Sequence, residues 1–267
     1  MKIKALWAAT LMVSASFANA AVIESSNEAT LESIVNDSLL VSGPTVNLTG
    51  DTATNDASTT SYFKASPDSQ NSTASFLIEI TGGENIQTFG IYNGSEHIQL
   101  FAGNDSGVVE TSGSGYTGSV VDANNFSEVS FRFVGGSYQV YLNNSATGVN
   151  FSSNEFGFYL GNSNGPRIYS DSAMNNGEER FVAVKGKDQY LNLGSENTSG
   201  CDANNLDNCI QWQSDDWIVA FEDGSDYDFN DMVVYVQDIV PVPEPGTLAL
   251  LGLGLAGLGI SRRRKQA

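Results

Sequence analysis

Six side chains that end in a carboxylate or carboxamide fall within ten positions late in the chain: Glu222, Asp223, Asp226, Asp228, Asn230 and Asp231. Five are acids, and like charges this close repel, so a fold keeps them together where something compensates. A hard divalent cation does so, and calcium is the ion that takes mixed sets of carboxylate and amide oxygens. Asp226, Asp228 and Asn230 have the D-x-D-x-N spacing that opens an EF-hand loop. The match stops there: the sixth position is Asp231 and not Gly, the twelfth is Gln237 and not Glu, and no helical pattern flanks it. Two plainer readings compete with calcium. Asp and Asn bond their own backbone in turns, and acids are often simply solvated.

Other chemistry is sparse. Cys201 and Cys209 enclose a polar stretch, CDANNLDNC, and an even count in an exported chain predicts a disulfide that ties off a surface loop. The only histidine, His97, lies in EHIQLFA in register with Gln99 and opposite Ile98 and Leu100, which predicts a solvent-facing side chain. No serine triad or G-x-S-x-G elbow can be built around it, and no P-loop or dinucleotide fingerprint occurs. A carboxylate pair can run glycoside hydrolysis. Among 31 acids, however, some pair is always near, so the sequence singles none out. No catalytic residue is assigned, and the chain is expected not to be an enzyme.

The elements around these residues follow two periodicities. Apolar positions 31, 34, 35 and 39 predict one short helix within 26–40, capped by Ser26 or Asn27. Residues 42–74 read as loops with one weak strand at 45–48. From there the period is two. Stretches 75–81, 86–92, 96–102, 128–134, 137–143, 155–160, 166–170, 180–185, 216–222 and 231–239 read as strands, separated by GG, NG, SG and NN turn pairs. Short strands without intervening helices cannot form a parallel βαβ sheet. The expected fold is mainly β: an antiparallel β-sandwich or jelly roll with one N-terminal helix.

The two ends differ from this body. Residues 1–20, MKIKALWAATLMVSASFANA, have the basic start, apolar run and small-x-small close of a signal peptide. Between residue 21 and the tail lie six basic and all 31 acidic residues, a formal charge of −25. Such a surface repels phosphate backbones, which excludes nucleic acid, and attracts divalent cations. At the C-terminus Pro241, Pro243 and Pro245 alternate, predicting an extended, unpaired segment. Gly246–Ile260 follows without a charge, about 22 Å long as a helix against a hydrocarbon core of about 30 Å. Arg262, Arg263, Arg264 and Lys265 then hold the end in the cytoplasm.

The order Pro243-Glu244-Pro245, apolar span, arginine cluster resembles the PEP-CTERM sorting signal of Gram-negative bacteria. That resemblance implies recognition and processing by an exosortase partner. It also implies a precursor held in the inner membrane by its C-terminal span, facing the periplasm, then release to the cell surface or extracellular matrix, often alongside exopolysaccharide. Phe221, Glu222, Asp223, Asp226, Asp228, Phe229, Asn230 and Asp231 also resemble the F-E-D…D-x-D-[YF]-N-D signature of a bacterial exported domain of unknown function. The likeness spans about residues 180–238 and implies a β-rich module and a calcium cofactor. The expected organisation is a signal at 1–20, a β-sandwich ectodomain at 21–240 with an acidic-turn module at 180–238, a sorting motif at 241–246, and a span with basic stub at 247–267. The expected function is a non-enzymatic surface or matrix protein of biofilm or exopolysaccharide. The alternatives are a lectin-like module stacking exposed Tyr and Trp on sugars, and a secreted polysaccharide hydrolase using a carboxylate pair.

Overall fold

Three stretches of the sequence, FVAV at 181–184, WIVAF and MVVYV, are apolar or aromatic at every position rather than at alternate ones, the pattern of strands covered on both faces. In the computed structural model they form the centre of the protein. The structure describes residues 22–23, 29–51, 56–66, 78–80, 87–102, 107–110, 117–120, 128–162, 166–193 and 200–243, which all fall in one unit, Ala20–Glu244. The strands Met232–Val236, Trp217–Phe221, Phe181–Lys185 and Ala57–Ser58 lie in that order in an antiparallel sheet. One face presents Phe181, Ala183, Trp217, Val219, Phe221, Met232, Val234 and Val236 to a first core. The other presents Val182, Val184, Ile218, Ala220, Val233 and Tyr235 to a second.

A second antiparallel sheet closes the first core. Its order is Ile239–Pro241, Phe63–Ala65, Glu155–Asn162, Gln87–Asn93, Glu96–Ala102, with Ile168–Tyr169 also paired to Glu155–Asn162. Alternate residues Phe89, Ile91, Phe156, Phe158 and Leu160 point inward, as a half-buried strand requires. Phe63 meets Phe158 at 5.4 Å and Trp217 at 5.5 Å between ring centres, so aromatic contacts knit the two sheets. Such pairs add about 0.5–1.5 kcal/mol each beyond burial. A three-stranded meander, Val129–Val134, Ser137–Leu142 and Ser145–Phe151, extends this core with Val129, Val140 and Phe151.

The outer face of the six-stranded sheet depends on two glycines. Gly90 pairs with Tyr159 and Gly157 with Tyr92 in the ladder. Each tyrosine ring lies flat on its glycine: a Cβ at Gly157 would come within 2.5 Å of the Tyr92 ring, and one at Gly90 within 2.5 Å of Tyr159. The rings restore packing where the glycines offer none.

The second core is covered by the helical segment, with α-helical Leu31–Ser33 running into a π-helical Ile34–Leu39, and by the sheet Ile210–Trp212, Gln189–Leu191, Leu40–Ser42. The cap is Thr30, whose Oγ1 accepts the Ser33 N–H at 3.3 Å; Ser26 and Asn27 lie outside the described residues. The weak strand expected at 45–48 is not one. Val46 and Leu48 are buried, but side chains rather than a ladder satisfy their backbone. Asn36 bonds both polar groups of Val46, at 2.8 and 2.9 Å, and Glu32 takes the Leu48 N–H at 2.7 Å. The meander's last strand, SATGVNF, alternates only at its end, where Val149 and Phe151 pack on the core, and its polar first half gives a weak strand signal.

The expected antiparallel sandwich is therefore present, with a further layer on the back of its central sheet. The signal at 1–20 and the span at 247–267 lie outside the described residues. Among the described residues, no helix is long and apolar enough to cross a membrane.

Candidate functional site

Residues 222–231 join the two central strands, whose last pair is Phe221 with Met232. Glu222 and Asp231 therefore leave the sheet side by side. The connection folds back so that Phe229 fills the second core. Doing so places Tyr227 and Phe229 both at φ 55°, a left-handed conformation that aromatic residues rarely adopt. Such a residue costs about 1–3 kcal/mol; the buried Phe229 ring offsets part of that.

This path buries two carboxylates. Glu222 is fully buried, its Oε1 accepting the Gly224 N–H at 2.7 Å and its Oε2 the Phe229 N–H at 3.3 Å. Asp228 is buried as well and accepts both the backbone N–H and the Nδ2 of Asn230, at 3.3 and 2.9 Å. Asn230 Nδ2 also donates to the Ala29 carbonyl at 2.8 Å, and the Leu31 N–H donates to the Asp228 carbonyl at 3.0 Å. The turn is thus fastened to the start of the helical segment. Asp231 Oδ2 accepts the Asp223 N–H at 2.6 Å.

Burial and mutual repulsion oppose ionisation here. Burial, joined by the Asp231 and Asp226 charges, pushes Glu222 up to about 8. Burial, joined by the Asp223 and Asp228 charges, pushes Asp231 up to about 6. The nearby cation is Arg180, whose Nη1 donates to the Gly224 carbonyl while its Nη2 pairs with Glu178 at 2.7 Å. Its guanidinium lies 5.4 Å from the centre of the Tyr227 ring. Arg180 thus braces the turn's backbone and gives its ion pair to Glu178.

Of the six predicted residues, Glu222, Asp226 and Asp228 bring one oxygen each within 4.8 Å of one another. That spread matches about twice a calcium–oxygen bond of roughly 2.3–2.6 Å. Asp223 and Asp231 lie beside this group, joined to each other. Asn230 braces the turn through its Nδ2, which donates to Asp228 and to the Ala29 carbonyl. Gln87, which donates from Nε2 to Asp223 Oδ2 at 2.8 Å, was not foreseen. It is 136 residues away in the chain, and no local pattern points to it.

Other predicted residues fall as follows. Cys201 and Cys209 form the disulfide, closing an exposed loop. His97 is not simply solvated: its Nε2 lies 3.2 Å from the Tyr169 hydroxyl, and the rings of Tyr92, Tyr159 and Tyr169 surround it at 5.3–5.9 Å. The strand alternation placed it on the outer face correctly, but tyrosines occupy that face too. Trp212 and Trp217 are both buried, donating to the carbonyls of Asp216 and Ile239 at 3.1 Å, which removes them as surface platforms for sugars.

The tail begins inside the fold. Ile239–Pro241 pairs with Phe63–Ala65 at a sheet edge, and the Val242 N–H donates to the Tyr62 carbonyl at 2.8 Å. The expectation of an unpaired segment thus fails for residues 241–242; an edge strand tolerates Pro241 because alternate nitrogens face away from the partner strand, and here it is the Val242 N–H that faces Tyr62. Pro243 is exposed, and Glu244 and Pro245 lie outside the described residues.

The body is thus an antiparallel β-sandwich whose final edge strand runs straight into the tail. Residues 241–265 match the family model of the PEP-CTERM protein-sorting motif. The chain carries the signal of an exported protein sorted by exosortase, made as a membrane-anchored precursor and processed to the cell surface. That match does not extend to the acidic turn. No curated protein and no solved structure matches the chain.

Proposed function

We propose that the exported body is a non-enzymatic component of the cell surface or extracellular matrix, associated with exopolysaccharide or biofilm, and that its acidic turn binds calcium. The precursor faces the periplasm of a Gram-negative cell until exosortase acts. One observation carries the calcium reading: two buried carboxylates, Glu222 and Asp228, lie with Asp226 within reach of one ion. A divalent cation would relieve the repulsion that raises Glu222 and would favour the ionised form. Titration of calcium into the purified protein by calorimetry, with melting temperature followed in parallel, tests it. Binding with a rise in melting temperature is expected; no response at millimolar calcium rejects the metal.

A second reading, a carbohydrate-binding module, has one observation in its favour. Phe133, 65% exposed, pairs with Tyr138 across the meander with ring centres 5.0 Å apart. Sugar rings stack on such faces. Glycan binding that survives chelation and is lost in Phe133→Ala would support this reading over a purely structural role.

A further inference from the structure

The final strand, Ile239–Pro241, is an edge of the six-stranded sheet, and the sorting motif starts within it, at residue 241. On its inner side the Ser66 N–H donates to the Asp238 carbonyl and the Val242 N–H to the Tyr62 carbonyl, both at 2.8 Å. Antiparallel alternation turns Val240, which pairs with Lys64, inward in the same way. Ile239 and Pro241 then turn their backbone outward. The Ile239 N–H donates to the Asp215 carbonyl at 2.9 Å, and the Ile239 carbonyl accepts the Trp217 indole N–H at 3.1 Å. Pro241 and Pro243 have no N–H to offer. From 239 to 243, therefore, the outward side presents no donor that the fold has not already used. The alternate prolines blunt the edge, while the N–H groups of Val240 and Val242 are held against the neighbouring strand.

An enzyme that grips an extended chain pairs with the same backbone groups that a sheet uses. Here the usable donors lie on the side the sheet already occupies. We propose that the final strand is a latch on the sorting signal: exosortase engages the motif only after residues 239–242 have left the sheet. The folded body and the enzyme compete for the Val240 and Val242 N–H groups, and the free energy of local opening sets the rate of processing. Ile239, 1% exposed and part of the first core, holds the latch shut.

Pulse-labelling of the full precursor in cells that carry exosortase, with conversion to the processed form followed over time, tests this. Lys64→Pro leaves the tail sequence untouched and removes the N–H that faces Val240; processing is expected to run about three- to tenfold faster. Lys64→Cys combined with Val240→Cys puts two thiols on facing residues about 5.5 Å apart at Cα, within reach of a disulfide. The oxidised pair is expected to slow processing about tenfold or more, and reduction to restore the rate of equally reduced wild type. Replacing Cys201 and Cys209 by serine loosens the body on its second core, away from this edge, and is expected to leave the rate unchanged. A wild-type rate in Lys64→Pro or in the oxidised pair overturns the latch. So does equal acceleration in the double serine variant, because unfolding of the whole body would then be the route. If Lys64→Pro does not fold, the cysteine pair decides alone.

Discussion

Replacing Glu222 by glutamine should stabilise the calcium-free protein and abolish most of its response to calcium. An ordinary glutamate titrates at 4.5, whereas burial and the Asp231 charge push Glu222 up to about 8. Its folded-state value is therefore raised, so the folded protein holds a proton that the unfolded chain releases. Stability from this group is complete below 4.5 and is lost as pH rises from about 4.5 to about 8. At pH 7 about 2.5 units of that window have been crossed, which at 1.36 kcal/mol per unit amounts to roughly 3 kcal/mol. Asp231 shares the repulsion, so Glu222 alone accounts for about 1–3 kcal/mol. Glutamine keeps an oxygen for the Gly224 N–H and can donate to Asp231, at the cost of the long, 3.3 Å bond from the Phe229 N–H. Melting temperature in EDTA at pH 7 should rise by about 2–4 °C per kcal/mol gained. The variant's stability should also fall less than the wild type's between about pH 6 and 8, where Glu222 is the group still losing its proton; below that, Asp231 titrates in both. With calcium at a hundred times its dissociation constant the wild type gains about 2.7 kcal/mol, and the variant a small fraction of that. A variant less stable than wild type in EDTA at pH 7 would refute the reasoning, because it would mean that the chain already compensates the Glu222 charge.

Three further outcomes are expected. Gly157→Ala drives a methyl group to within 2.5 Å of the Tyr92 ring; thermal melts should show a loss of about 1–3 kcal/mol. Asp216 is buried and accepts from the Gln213 N–H, the Tyr235 hydroxyl and the Asp238 N–H at 3.0, 3.1 and 3.3 Å. Asp216→Asn sets an amide donor against these donors, and urea unfolding should register a cost of about 1–3 kcal/mol. Replacing both Cys201 and Cys209 by serine reopens a short loop, for which the same assay should read about 2–3 kcal/mol.

Strand positions were legible because each strand needs only a local alternation and a turn. Each of the ten sequence stretches read as strands from 75 onward contains a strand among the described residues (75–77, 81 and 86 lie outside them), and 231–239 divides where Asp238 turns left-handed, at φ 57°. The apolar pairs WIVAF and MVVYV also announced that something covers both their faces. What covers the back face was not legible. It comes from residues 29–48 and from short strands near 190 and 210, whose polar sequences say little alone.

The acidic turn divides in the same way. Composition and spacing located it, since six oxygen-bearing side chains in ten positions need no fold to be seen. The tail was equally local: three elements in order fix the sorting motif at 241–265. The tertiary structure alone decided which acids are buried and which converge. Phe229 must reach the second core, so the backbone winds through two left-handed residues and carries Glu222 and Asp228 out of water while Asp223 stays exposed. It also brought Gln87 to Asp223 across 136 residues. Burial and long-range approach belong to the packed layers, and no spacing along the chain encodes them.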